Sequence, residues 1–481
     1  MNMRIVVYIV GWVLTLEGGF MLLPAATGFL WHEAPHSFVY LAVGAACVVL
    51  GLLLRLRKPT RRTFYAREGF VTVALSWIVL SLMGALPFTL TGDIPSYVDA
   101  LFEIISGFTT TGSSILRDVE ALSHANLIWR SFSHWIGGMG VLVFVLAVLP
   151  MTGGSSLNLM KAESPGPSVG KLVPKIRRTA LLLYQIYMIM TFIQILILLV
   201  GRMPLFDTLC LTFGTAGTGG FGVLGDSIAS YSAFQQNTIT VFMFLFGVNF
   251  SFYYMLLIRK PDEALKMEEV RWYFGIYAAA VLLITLNLTR SGEAGGILRH
   301  FQDAAFQVSS IMTTTGYATA DFDKWPMFSR GILVLLMFIG ACAGSTGGGI
   351  KVSRIVLYFK QIGREVRRQI HPRTVKVLLM DGKPMDRDML HSCNVFLLAY
   401  FVIFALSALL LTLDGFDPTT TFTAVAATLN NIGPGLAKVG PVENFADFSA
   451  LSKFVMMFDM LAGRLEIIPM LVLFHPRAWK R

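Results

Sequence analysis

Charge is what this sequence has least of: Asp, Glu, Lys and Arg make up only 14% of its 481 residues, while 55% are hydrophobic, with 37 Phe among them. A soluble chain of that length needs far more charged surface, so the composition excludes a soluble enzyme or binding module. Stretches such as Tyr184 to Val200, Ile332 to Ala343 and Phe396 to Leu413 hold hardly a charged residue. Each covers much of the ~20 residues that a helix needs to cross a bilayer. Cysteine is scarce as well: Cys47, Cys210, Cys342 and Cys393 stand alone in apolar surroundings with no CxxC pair, which argues for packing over redox or metal chemistry. The 8 His form no HExxH pair, and no Ser/His/Asp or Cys/His grouping stands out. No catalytic site can be read, and the chain is expected not to be an enzyme. A nucleotide loop is missing too, because Ile350 separates Gly349 from Lys351 where a P-loop needs Lys directly after its last glycine.

The charge that is present is unevenly placed. A net +10 could suggest a nucleic-acid partner, but with the spans set out below most Lys and Arg fall on one side of a membrane. The positive-inside rule then puts both termini in the cytoplasm and makes a nucleic acid unnecessary. The opposite loops carry more acid than base, which would concentrate cations there. The basic stretches 161–178 and 360–376 satisfy topology and suit anionic lipid. The first apolar run is interrupted by Glu17 and followed at once by a second, so it reads as a retained helix rather than a signal peptide.

A repeat organises the rest. Four polar tetrads, Thr109-Thr110-Thr111-Gly112, Ala216-Gly217-Thr218-Gly219, Thr313-Thr314-Thr315-Gly316 and Asn430-Asn431-Ile432-Gly433, each close the same phrase. A long apolar entry span is followed by a segment too short to cross, then the tetrad, then an exit span. The entry spans are expected at Phe70 to Leu90, Thr179 to Val200, Trp272 to Leu288 and Leu390 to Leu413. The short segments are Tyr97 to Phe108, Leu205 to Gly214, Phe301 to Met312 and Thr419 to Leu429. The exit spans are Leu127 to Leu149, Asn237 to Leu257, Gly331 to Tyr358 and Leu451 to Leu473. With two leading spans, Ile5 to Leu23 and Val39 to Leu54, this gives ten crossings. The expected fold is an all-α polytopic membrane protein, with four pseudo-fourfold units (67–170, 171–262, 263–380 and 381–481) around one ion pore and two helices before them (1–66). Two crossings per unit give every unit the same orientation, which favours a ring over the inverted repeats of alternating-access carriers.

Irregular backbone at membrane depth survives only where protein buries it or water reaches it, since bare carbonyls in lipid cost several kcal/mol each. Glycine admits positive φ, so successive carbonyls can turn to one side and replace the hydration shell of a cation. The plainer alternative is ordinary turns or small-residue helix contacts.

In this order of span, short helix, glycine loop and span, and in the loops "TTTG", "AGTG", "TTTG" and "NNIG", the chain resembles the Trk/Ktr/HKT superfamily of potassium transporters, and within it the bacterial Trk membrane subunits. The resemblance implies potassium as substrate, with no cofactor held by this chain. It implies filter glycines at Gly112, Gly219, Gly316 and Gly433, with Thr110, Thr111, Thr218, Thr315, Asn431 and Ile432 lining the ion path, and glycine at all four positions favours potassium over sodium. It also implies a homodimer in the bacterial inner membrane and a cytosolic nucleotide-binding regulatory subunit (TrkA-like). A carrier coupling potassium to sodium or protons is the rival.

Two further features lie below the tetrads. Between Gly340 and Arg354, the residues Gly344, Ser345, Thr346, Gly347, Gly348, Gly349 and Lys351 should unwind a helix, because glycine costs it ~1 kcal/mol relative to alanine. Packing through Gly340, Gly344 and Gly348 is the alternative. The resemblance makes this stretch an intramembrane gate. Arg464 lies mid-span, where charge is expensive and usually functional. The resemblance puts it beside the pore under the filter, lowering cation occupancy there; an interhelical ion pair is the other reading.

Overall fold

The computed structural model describes residues 2–56, 66–138, 140, 176–293, 295–372 and 377–479. Most of the basic stretch 161–178 therefore lies outside the described residues. Helices dominate, and among the described residues the only sheet pairs Leu379–Met380 with Lys383–Pro384. Six helical spans are long and apolar enough to cross a membrane: Met3–Leu30, Ala34–Arg55, Arg67–Thr91, Ala180–Val200, Glu268–Arg290 and Arg387–Asp414. These are the two leading spans and the four entry spans, and the all-α membrane fold is as expected. All four cysteines are buried.

The two leading spans pack through glycines seven residues apart. A Cβ on Gly11 would sit 2.8 Å from the Gly51 carbonyl oxygen, and one on Gly18 would sit 2.4 Å from that of Gly44. Lipid tails supply no hydrophobic drive between helices, so close backbone approach through small residues supplies the contact instead.

The short helices form as expected, at Tyr97–Phe108, Leu205–Gly217, Ile297–Met312 and Pro418–Leu429. Two are started by side-chain caps: Ser96 accepts from the Asp99 N–H, and Asp417 accepts from the Thr420 N–H. Such caps satisfy donors that the first turn leaves open.

The second and fourth exit spans differ from expectation, because they too are broken midway, as the glycine-rich third was expected to be. The second runs Ala233–Phe246 and then Phe250–Leu257, bent by 90°. The third stops at Ile339 and resumes at Val352–Ile370, and the fourth stops at Arg464 and resumes at Ile468–Phe474. The first, His124–Gly138, was expected to reach Leu149, but apart from Gly140 its continuation lies outside the described residues. Each break is marked in the local backbone. Asn249 caps a new helix by accepting from the Ser251 N–H. Five glycines in the third break and positive φ at Glu466 and Ile467 in the fourth interrupt the helix. The freed backbone groups find partners in protein: the Cys342 N–H donates to the Gly247 carbonyl at 3.0 Å and the Phe250 N–H to that of Gly344 at 3.0 Å. Among the described residues six spans are continuous, and the second, third and fourth exit segments are shorter or broken.

Candidate functional site

Each short helix ends the same way. The residue after its last turn is left-handed: Thr110 (φ 56°), Thr218 (57°), Thr314 (60°) and Asn431 (56°). The next N–H reaches back five residues, from Thr111 to the Ser106 carbonyl at 2.9 Å, Gly219 to Gly214 at 2.8 Å, Thr315 to Ser310 at 2.8 Å and Ile432 to Ala427 at 2.8 Å. This is the left-handed helix stop that satisfies the last carbonyls. The third residue is a glycine with φ of 81°, 79°, 88° and 100° at Gly112, Gly220, Gly316 and Gly433. Asparagine tolerates the left-handed region, but a β-branched threonine there costs on the order of 1–3 kcal/mol. Thr110, Thr218 and Thr314 are all fully buried, so the surrounding protein enforces that conformation.

This geometry moves the second unit's register by one residue. The position equivalent to Gly112, Gly316 and Gly433 is Gly220, while the expected Gly219 is the equivalent of Thr111, Thr315 and Ile432. A Thr-x-Gly phrase ran through units one to three and was the signal for it; two adjacent glycines, Gly219 and Gly220, hid the choice.

The four hairpins close a ring. A Cβ on Gly112 would lie 2.0 Å from the Gly219 carbonyl oxygen, one on Gly220 1.9 Å from that of Thr315, one on Gly316 2.2 Å from that of Ile432, and one on Gly433 2.9 Å from that of Thr111. Each glycine therefore faces the carbonyl of the next unit, and the fourth returns to the first. The N–H groups of Thr111, Gly219, Thr315 and Ile432 are engaged in ending the helices, so the oxygens of these residues are what the ring can offer a ligand. Gly112, Gly220, Gly316 and Gly433 together line one cavity of about 130 Å³.

Side chains tie the hairpins to one another. His134 Nδ1 pairs with the Gly107 carbonyl at 2.8 Å while its Nε2 accepts from the Phe221 N–H at 3.3 Å, a neutral ring linking units one and two. Tyr317 Oη donates to the Leu211 carbonyl at 3.1 Å, and Asn431 Nδ2 to Thr111 Oγ1 at 2.9 Å. Behind the first hairpin, Arg130 Nε donates to Glu103 Oε1 at 2.8 Å, and Glu103 Oε2 accepts from the Ile115 N–H at 3.0 Å. Both side chains are buried, and the guanidinium lies 4.0 Å over the Phe221 ring. Removing one partner of such a pair leaves an uncompensated charge; Glu103→Gln is expected to destabilise the protein by about 3–5 kcal/mol, read as a lower unfolding temperature in detergent.

Beneath the ring, the stretch between Ile339 and Val352 is irregular, with positive φ at Gly340, Gly344, Gly349 and Lys351. It is no small-residue helix face. The Gly348 N–H donates to Thr314 Oγ1 at 2.6 Å, and a Cβ on Gly348 would come 2.5 Å from the Asn430 carbonyl oxygen. Gly347 approaches the Thr313 carbonyl, Lys351 Nζ donates to the Gly347 carbonyl, and Ser345 Oγ donates to that of Cys342 at 2.7 Å. Arg464 is buried and donates to the Thr346 carbonyl at 2.8 Å, the Gly138 carbonyl at 2.8 Å and the Gly137 carbonyl. It thus joins the irregular stretch to Gly137 and Gly138 of the first exit segment. Its neighbours in sequence turn elsewhere: Asp459 accepts from Ser407 at 2.7 Å, and Glu466 pairs with Arg354.

Comparison with known proteins agrees with this architecture. The TrkH family, described as cation transport proteins, matches residues 36–481. The Trk system potassium uptake protein TrkH of Salmonella typhimurium is 36% identical over 494 residues, covering all of both chains. The Escherichia coli K12 protein of the same name is 35% identical over 491 residues with the same coverage. The crystal structure of the potassium transporter TrkH from Vibrio parahaemolyticus superposes with a TM-score of 0.89 and 32% identity, again covering 100% of both chains.

Proposed function

We propose, from the premise that this chain belongs to the TrkH family of cation transport proteins, that it carries potassium into the cell through one pore at the centre of its four units. The observation that carries this reading is the closed ring of glycines facing carbonyls. A bare cation entering low dielectric would lose tens of kcal/mol of hydration, and ring oxygens restore that coordination. The carbonyls of Thr111, Gly219, Thr315 and Ile432 form one level of the filter, and the left-handed residues Thr110, Thr218, Thr314 and Asn431 form its inner edge. Units 67–170, 171–262, 263–380 and 381–481 would each supply a quarter of it.

The stretch from Gly344 to Lys351 acts as the gate in this reading, because it lies against the third and fourth hairpins directly under Thr314 and Asn430. Arg464 sits beside the path and is tied to that stretch. In this reading the uneven basic charge puts both termini in the cytoplasm of a bacterial inner membrane, and the relatives' naming as part of a Trk system fits further subunits, a second copy of the chain and a cytosolic nucleotide-binding subunit on the basic side. The helix Val352–Ile370 offers that side Arg364, Arg367 and Arg368 with exposed Phe359, Ile362, Val366 and Ile370.

Inward flow would be driven by membrane potential, about 2.3 kcal/mol per charge per 100 mV. Rubidium influx into liposomes holding the protein is expected to follow an imposed voltage with no sodium or proton gradient present. Influx that vanishes without a second gradient would replace the channel-like reading by a coupled carrier.

A further inference from the structure

Glu269 is a buried carboxyl, 5% exposed, in the first turn of the third entry span and away from the ring. Its Oε1 accepts from the Ala343 N–H at 2.6 Å and from the Ser353 N–H at 3.1 Å. Its Oε2 accepts from Asn249 Nδ2 at 3.3 Å. Ala343, near the start of the irregular stretch, and Ser353, just past its end, serve as its two feet, and the Lys351 and Val352 N–H groups also reach the Ile339 and Ala341 carbonyls at 3.0 and 3.1 Å. Asn249 marks the break in the second exit span, whose Phe250 N–H reaches the Gly344 carbonyl at 3.0 Å. One carboxylate therefore gathers both feet of the loop and the adjacent unit's break.

The chemistry suits an anion there. Hydrogen bonds to an ionised acceptor are roughly twice as strong as neutral ones. Ser353 is the second residue of the helix Val352–Ile370, so the carboxylate also meets the positive end of a helix dipole. The nearby cations are engaged elsewhere: Lys351 on the Gly347 carbonyl, Arg354 on Glu466, and Arg464 on the Thr346 carbonyl. A neutral amide is a weaker substitute: its oxygen could still face the Ala343 and Ser353 N–H groups but without the charge, and its NH2 would confront the donating Nδ2 of Asn249.

We propose that Glu269 is the positioning residue of the gate: its carboxylate holds the feet of loop 340–351 together, and the loop stays across the path while both bonds last. This rests on the reading of that loop as the gate. Nothing about it involves the filter, so losing Glu269 should free the gate without changing which ion passes.

The test is rubidium influx at fixed voltage through the full chain in liposomes, measured together with the rubidium-to-sodium permeability ratio. Glu269→Gln is expected to raise resting influx by about tenfold or more, the loss of a charged hydrogen bond, with the ratio unchanged. Glu269→Asp keeps the charge but is one methylene shorter; it should reach one foot only and give an intermediate influx, and it carries the test if the glutamine variant does not fold. Wild-type influx in the folded variants, increased influx with lost rubidium-to-sodium discrimination, or failure of both variants to fold would each overturn the assignment. Deleting Gly347 to Gly349 separates this idea from the one beneath it. If the deletion raises influx while Glu269→Gln does not, only the role of Glu269 falls; if the deletion leaves influx unchanged, the gate itself falls.

Discussion

Replacing Gly220 by alanine is expected to cut rubidium influx by about tenfold or more while the protein still folds. Gly220 has φ of 79°, and an L-residue in the left-handed region costs roughly 1–2 kcal/mol, about a factor of ten in the population of the correct turn. The space is closed as well. An added Cβ would lie 1.9 Å from the Thr315 carbonyl oxygen and 2.9 Å from the Thr315 carbonyl carbon, so the third hairpin's backbone would have to shift. That oxygen belongs to the ring, and its displacement should also lower rubidium-to-sodium discrimination. Gly219 is the informative control, because a Cβ there meets the His134 ring, with Nδ1 at 2.1 Å, and a side chain can be cut back. Gly219→Ala should therefore recover part of its flux when His134→Ala is added, whereas no side-chain deletion should rescue Gly220→Ala. Normal influx and selectivity in Gly220→Ala would remove that glycine from the filter and restore the original register at Gly219.

Arg464→Gln is expected to raise resting influx by about tenfold to a hundredfold. Hydrogen bonds to charged groups contribute about 1.5–3 kcal/mol each, and this guanidinium makes such bonds to the carbonyls of Thr346, Gly137 and Gly138. Losing them releases the loop from the first unit. In the proposed pore the substitution also removes a positive charge from beside the path, which would raise cation occupancy there, so both effects act in one direction. Arg464→Lys separates them, since lysine keeps the charge but lacks the planar fork that serves several carbonyls at once. Influx near wild type in the lysine variant would assign the effect to charge, and influx near that of the glutamine variant would assign it to tethering. A folded Arg464→Gln protein with reduced or unaltered influx would refute both.

The sequence made the architecture plain because the repeat is written in hydrophobicity. Entry spans and short helices such as Tyr97–Phe108 fall where the apolar runs put them. The broken exit spans were less legible. Only the third carries a glycine cluster strong enough to announce its break; the others turn at Gly247 and Asn249 or at Glu466 and Ile467, where tertiary contacts decide. The filter register in the second unit needed the hydrogen bond from Gly219 back to Gly214, which sequence spacing does not encode. Glu269 was invisible for a similar reason. In the sequence it is one of two adjacent acids at a helix start, and its three donors come from residues 249, 343 and 353.

At the level where one oxygen per unit faces a neighbouring glycine, the four contributors are Thr111, Gly219, Thr315 and Ile432. In a pore assembled from identical subunits, any substitution is made four times over. Here all four quadrants belong to a single covalent chain, so each can be edited alone, and in the proposed filter the coordination of a passing ion could be altered by a quarter without touching the other three.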